Sequence, residues 1–167
     1  MAAKRSKTKS KGASTQAMVA LHEAGIPFAV HEYRHDPDTT AYGAEAAKAL
    51  SLDPQRVFKT LVADADGTLV VAIVPVSGQL SLKALASAVG AKRAVMGDPK
   101  AVEKSTGYVL GGISPIGQRK ALPTILDISA LDHSTVFVSG GRRGLDLELK
   151  PDDLISATRA RTAPIQA

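Results

Sequence analysis

Lys59 interrupts Val57-Phe58-Lys59-Thr60-Leu61-Val62, a stretch otherwise suited to a buried strand. Burying an ammonium without a partner is costly. The residue therefore either snorkels to water from an edge strand or faces a cleft, where it meets a substrate oxygen or phosphate. Two glycine-rich bends supply complementary groups, Gly111-Gly112-Ile113-Ser114-Pro115-Ile116-Gly117 and Ser139-Gly140-Gly141-Arg142-Arg143-Gly144. Glycine has no side chain to keep a ligand from backbone N–H groups. One such loop is more often a turn than a site, but two in a chain this short point to a shared pocket. Gly112 to Gly117 has the outer spacing of a nucleotide-binding P-loop, yet Gln118-Arg119 stands where Lys-Ser/Thr is required, which removes both the phosphate lysine and the magnesium ligand.

His31-Glu32-Tyr33-Arg34-His35 matches the zinc-protease pattern letter for letter. That chemistry needs a helix, where imidazoles four residues apart reach one metal. The flanking Gly25-Ile26-Pro27-Phe28-Ala29-Val30 and Asp36-Pro37 read as extended chain. Two histidines so spaced on a strand lie about 13 Å apart, and no metal site is expected. In Leu145-Asp146-Leu147-Glu148-Leu149, Asp146 and Glu148 share the face opposite the leucines. That pattern also fits a solvated face.

Composition narrows the chemistry. The 167 residues contain no Cys, so disulfides, thiolate metal clusters and a cysteine nucleophile are excluded. The longest apolar run, Leu69 to Val76, is too short to span a membrane as a helix. The formal charge of +5 resides in residues 1–13, through Lys4, Arg5, Lys7, Lys9 and Lys11. That segment is expected to be a disordered basic tail able to attract phosphate. No secretory signal is read, so the cytoplasm is the expected location. The basic pairs Lys92-Arg93, Arg119-Lys120 and Arg142-Arg143 are candidates for a phosphate-meeting patch. With three Phe and three Tyr, stacking on bases is disfavoured against backbone contact.

These residues must be positioned by the elements around them. Helices are expected from Gln16 to Ala24, Thr40 to Leu50, Ser81 to Val89, from Asp98-Pro99, and from Pro151 as the terminal helix. Strands are expected at 26–33, 57–63, 68–75, 94–96, near 124–128 and 135–138, and at 145–149. Asp66-Gly67 is a hairpin signal between adjacent antiparallel strands. Helices mixed with hairpin-linked strands indicate an α+β fold with a mostly antiparallel sheet. One domain is read over residues 14–160, with a C-terminal tail at 161–167.

The ordered set Phe58-Lys59-Thr60-Leu61, Lys104-Ser105-Thr106-Gly107-Tyr108, Gly111 to Gly117 and Ser139 to Leu145 resembles the YbaK family. These are freestanding bacterial editing proteins that deacylate mischarged Cys-tRNA(Pro). The likeness runs from about Thr15 to Thr158 and includes Gly25-Ile26-Pro27-Phe28 and His31 to Asp36. It implies a mixed, mostly antiparallel, barrel-like sheet flanked by helices, the fold of the prolyl-tRNA synthetase editing domain. It also implies tRNA(Pro) and prolyl-tRNA synthetase as partners, with no cofactor, metal or membrane. Carried over by motif position, the essential lysine falls on Lys59 with Thr60 beside it, the pocket tyrosine on Tyr33 and the loop glycine on Gly111. The late serine falls on Ser139 and the late aspartate on Asp146. Gly112, Ser114 and Gly140 would line the substrate, and Arg119, Lys120, Arg142 and Arg143 would meet tRNA. One departure is Ser77-Gly78-Gln79, where relatives often carry an Asn.

Within that resemblance the substrate's own thiol attacks its ester, so the protein needs no nucleophile. A deacylase for Ala-tRNA(Pro) and a non-catalytic tRNA or synthetase adaptor are the alternatives.

Overall fold

A computed structural model describes residues 14–167, and the expected basic tail at 1–13 lies outside them. Helix α1 (Gln16–Ala24) starts where Met18 N donates to Thr15 Oγ1 at 3.2 Å and stops at Gly25, whose φ of +69° makes a left-handed cap. Strand β1 (Ala29–Glu32), helix α2 (Tyr42–Ala49), strand β2 (Phe58–Ala65) and strand β3 (Thr68–Pro75) follow. Asp66 and Gly67 join β2 to β3 with φ of +51° and +93°, the paired positive values that match the twist of a tight hairpin.

Next come α3 (Leu82–Ala88), β4 (Ala94–Met96), α4 (Pro99–Thr106) and β5 (Thr124–Asp127). After a 3-10 turn at Ile128–Asp132 the chain forms β6 (Val136–Ser139), β7 (Leu145–Leu149), α5 (Pro151–Thr158) and β8 (Arg161–Ala163). Hydroxyl and carboxylate caps set two of the starts: Ala84 N donates to Ser81 Oγ, and Ala101 N donates to Asp98 Oδ2.

The fold is the expected mixed, mostly antiparallel α+β class, but its strands make two joined sheets and not one closed barrel. Three strands run in the order β1-β7-β6, all antiparallel. Five run in the order β4-β2-β3-β5-β8, with β5 and β8 joining in parallel. A parallel bridge between Val57 and Phe137 ties the sheets together. Between them Phe58, Val62 and Ile73 meet Val136, Val138 and Leu147 in the main core. The other face of the larger sheet, through Ala63, Val74 and Ile125, packs on Leu85 of α3. A third cluster sets Ala46 and Ala47 of α2 against Val57 and Phe137, with Tyr33 and Val76 at its edge.

Residues 161–163, within the stretch expected as a tail, form a strand of the larger sheet, so α5 is not the last element. Arg161 to Ala163 lie in parallel register with Ile125 to Asp127, and Ile165 is fully buried. Ile165 N and Gln166 Nε2 donate to the Asp127 carboxylate at 2.9 and 2.8 Å. Burial would raise the Asp127 pKa, but these bonds and those from Ser129 outweigh it and hold the group below its ordinary value. No helix among the described residues is long and apolar enough to cross a membrane.

Candidate active site

Alternation along β2 puts Lys59 on the face of Val57 and Leu61, and Thr60 on the opposite face with Phe58 and Val62. Lys59 is half-buried, opposite Val74 in the hairpin register. The first turn of α2 closes over it: a Cβ at Gly43 would lie 3.6 Å from Lys59 Cβ and would collide with Val76 Cγ1. Glycine is required there for the helix to approach the strand. Thr60 Oγ1 is wholly cut off from solvent and is the one side-chain atom so enclosed, among the described residues, without a hydrogen-bond partner. An unsatisfied buried hydroxyl marks a place where a ligand or water oxygen belongs.

The two bends touch each other. A Cβ on Gly112 would lie 2.9 Å from Arg142 Cα, and one on Gly111 would lie 2.5 Å from Arg143 Nε and 2.9 Å from Tyr42 Cε2. Gly111 has φ of +88°, a conformation an L side chain resists. Tyr42 and Gly43 are consecutive, so Gly111 and Lys59 abut the same helical turn from two sides.

The backbone donors of the bends are not equivalent. Gly112 N donates to Val109 O at 3.0 Å, Gly140 N to Leu145 O at 2.8 Å, and Gly141 N to Ser139 Oγ at 3.2 Å. Gly112 and Gly140, expected to line the substrate, are thus occupied by their own turns and shape the site without donating to a ligand. Among the described residues no acceptor meets the N–H of Gly111 or Ile113. Ser114, also expected at the substrate, is fully buried. Its Oγ accepts from Ile116 N at 3.2 Å, and its carbonyl accepts from Gln118 Nε2 at 3.0 Å. It braces the loop from beneath. Tyr108 adds a second brace, donating Oη–H to Ile116 O at 2.6 Å, and burial pushes its pKa up to about 12.

Asp146 lies on the outer face of the smaller sheet, with Ser139 and His31 as its cross-strand neighbours. Asp146 itself is not solvated, being 5% exposed. No described residue hydrogen-bonds or ion-pairs its carboxyl, and burial pushes the group up to about 7. Tyr33 is carried beside it by the β1 extension, where Tyr33 N donates to Gly144 O at 2.9 Å. Burial first, then the nearby Asp146 carboxylate, push the Tyr33 hydroxyl up to about 12. Lys59, Gly111 and Tyr33 thus each adjoin α2, and Asp146 lies beside Tyr33.

The His31 to His35 segment is a strand followed by extended chain, so the helix the zinc motif demands is missing. The imidazoles go to separate carboxylates, His31 Nε2 to Glu148 Oε1 at 2.9 Å and His35 Nδ1 to Glu45 Oε1 at 3.0 Å. Burial would raise Glu148, but bonds from Thr135 and His31 and the Arg56 charge outweigh it and hold the carboxyl low.

The basic pairs divide. Lys92 N and Arg93 N donate to the Asp66 carboxylate at the hairpin end of the larger sheet. Arg119 and Lys120 donate their backbone N–H groups to Thr106 and Ser105, at the end of α4. A cavity of about 490 Å³ lies there, lined by Gln16, Gly107, Tyr108, Gly141 and Arg142 among others, and so connects that end of α4 to the second bend. Lys59 and Asp146 do not line this open hollow. Arg142 pairs with Glu32 at 3.4 Å. Arg143 Nη2 donates to Tyr42 Oη at 2.7 Å.

Sequence reasoning overlooked Tyr42, Gly43, Glu45 and the placement of His35. Gly43 carried the signal, as a lone glycine inside an Ala-rich helical stretch.

Comparison with known proteins bears on the sequence and the fold. The family model for the aminoacyl-tRNA editing domain matches residues 36–157. An Enterococcus faecalis protein named for deacylation of Cys-tRNA(Pro) and Cys-tRNA(Cys), EbsC, is 38% identical over 152 residues, covering 90% of this chain and 92% of its own. A proline–tRNA ligase of Moorella thermoacetica is 33% identical over 100 residues, 60% of this chain and 17% of the ligase. A crystal structure described as a trans-editing enzyme for prolyl-tRNA synthetase superposes with a TM-score of 0.80 at 26% identity, over 91% of this chain and 95% of that one. With its fold, its paired bends and its sequence all in agreement, the chain belongs to the aminoacyl-tRNA editing-domain family.

Proposed function

We propose that this chain is a trans-editing hydrolase that deacylates mischarged Cys-tRNA(Pro), and Cys-tRNA(Cys) by the same chemistry, working in the cytoplasm beside prolyl-tRNA synthetase. The observation that carries this reading is the meeting of Lys59 and Gly111 at one helical turn. A half-buried cation on one side of that turn and an unpaired N–H in a left-handed bend beside its tyrosine support the reading.

In the reaction the cysteinyl sulfur bonds to the ester carbonyl carbon and the bond to the ribose oxygen breaks. The thiol proton goes to that oxygen, leaving a cyclic thioester that water opens to free cysteine. The thiol, with a free pKa of about 8.5, is a good nucleophile, so no protein nucleophile is needed. Lys59 holds the ester or terminal ribose. Gly111 N–H faces the developing oxyanion, a contribution of roughly 3 kcal/mol where such donors have been removed elsewhere. Asp146 receives the α-ammonium, which restores the charge that burial denies it, with Tyr33 closing that end. Ser139 shapes the second bend, and Thr60 Oγ1, on the opposite face of the strand, meets a water oxygen. Arg119, Lys120 and Arg142 approach the tRNA backbone from the hollow at the end of α4.

The test is a deacylation panel with Cys-tRNA(Pro), its S-methylated form and Ala-tRNA(Pro). Hydrolysis of the first alone supports the reading. Equal rates for the first two defeat the thiol mechanism, and preference for the alanyl ester moves the substrate assignment.

A further inference from the structure

The second histidine of His31-Glu32-Tyr33-Arg34-His35 holds a place of its own at the bends. His35 Nδ1 lies 3.0 Å from Glu45 Oε1, and its Nε2 lies 3.3 Å from Arg143 Nη1. Arg143 in turn donates through Nη2 to Tyr42 Oη at 2.7 Å and lays its guanidinium 4.3 Å over the Tyr42 ring. That guanidinium and that ring are the two groups walling Gly111.

The donor inventory fixes the tautomer. A carboxylate only accepts, so Glu45 requires the proton on His35 Nδ1; a guanidinium only donates, so Nε2 must be the bare nitrogen. One neutral form of the ring satisfies both partners. Glu45 is itself held, accepting from Asp36 N at 2.6 Å. Burial would raise it, but the bonds from His35 and Asp36 outweigh that and keep it low.

We propose that His35 and Arg143 are positioning residues for deacylation: Nδ1-protonated His35 holds Arg143 flat on Tyr42, and the stack fixes Gly111 so that its N–H is presented to the ester. The proposal rests on the deacylase reading, but its first test needs no substrate. The groups facing His35 are Glu45 and Tyr42 from α2, Asp36 from its own segment and Arg143 from the second bend, with Gly144 beside its Cβ. Arg143 thereby leaves the set of expected tRNA contacts and acts on the site through Tyr42.

Nitrogen-15 NMR of the full chain at pH 8 is expected to show His35 protonated at Nδ1 and bare at Nε2. His35→Gln can donate to Glu45 and accept from Arg143, so it should leave the Gly111 and Gly112 amide signals in place, while Arg143→Ala should displace them. In deacylation, His35→Ala and Arg143→Ala should lower kcat by about tenfold with KM little changed, and His35→Gln should recover most of the loss. Three results overturn the proposal. One is His35 protonated at Nε2 at pH 8, and another is unmoved Gly111 signals in folded Arg143→Ala. The third is an Arg143→Ala defect confined to KM with a weaker salt dependence, the signature of a phosphate contact.

Discussion

Asp146 of β7 stands directly opposite Ser139 of β6, and the serine's Oγ is occupied by Gly141 N while the aspartate has no described hydrogen-bond partner. A buried carboxyl left unpaired in this way destabilises the fold wherever it would otherwise ionise. Its ordinary value of 3.8 is raised to about 7, so between those pH values the unfolded chain carries the charge and the native chain does not. Stability therefore falls as pH rises through that window and stays low above it. Asp146→Asn should match the native chain near pH 4 and exceed it at pH 8 by on the order of 3 kcal/mol, while losing deacylation. Urea unfolding at the two pH values measures the first effect and a single-turnover assay the second.

Lys59→Ala should cut deacylation by about 100-fold, the loss expected when one transition-state contact disappears. Because the side chain is half-exposed, stability should change by less than about 1 kcal/mol. Activity close to that of the native chain would remove Lys59 from its assigned role.

Gly111→Ala meets three obstacles, a positive φ that costs an L residue about 1–2 kcal/mol and collisions with Arg143 Nε and Tyr42 Cε2. Adding Arg143→Ala removes one collision and leaves the other two obstacles. The double variant should therefore regain part of the stability lost by Gly111→Ala, and a thermal-melt double-mutant cycle reads that coupling.

Ile165→Ala should cost about 2–4 kcal/mol, since it empties a fully buried position in the cluster with Leu85 and Val74. Guanidinium unfolding of the two chains tests this. An effect below 0.5 kcal/mol would mean, on the usual scale for exposed positions, that residues past 160 do not pack in solution.

Local signals were legible in the sequence. Thr15, Gly25, Ser81, Asp98 and the Asp66-Gly67 pair each act on backbone groups a few residues away, and each does so as their chemistry dictates. The alternation in 145–149 likewise gave the correct strand and faces. What stayed hidden depends on partners far along the chain. Arg161-Thr162-Ala163 has no pattern of its own and becomes a strand because Ile125 to Asp127 offer it a ladder. The burial of Ser114 follows from the packing of its whole loop. Lys59 and Thr60 looked like one site unit, yet the pleat turns them to opposite faces, and the core pattern on both sides of β2 shows this only once α2 and the smaller sheet are in place.

The late arrival of β8 also governs what happens to damaged or unfinished chains. Val71 N bonds to Pro123 O on one flank of Thr124–Asp127, and Arg161–Ala163 shields the other. A molecule clipped before Arg161 would bare a greasy, ladder-ready rim, the kind of surface on which misassembly between copies begins. Those few closing residues thus act as a guard against clumping as much as a part of the scaffold.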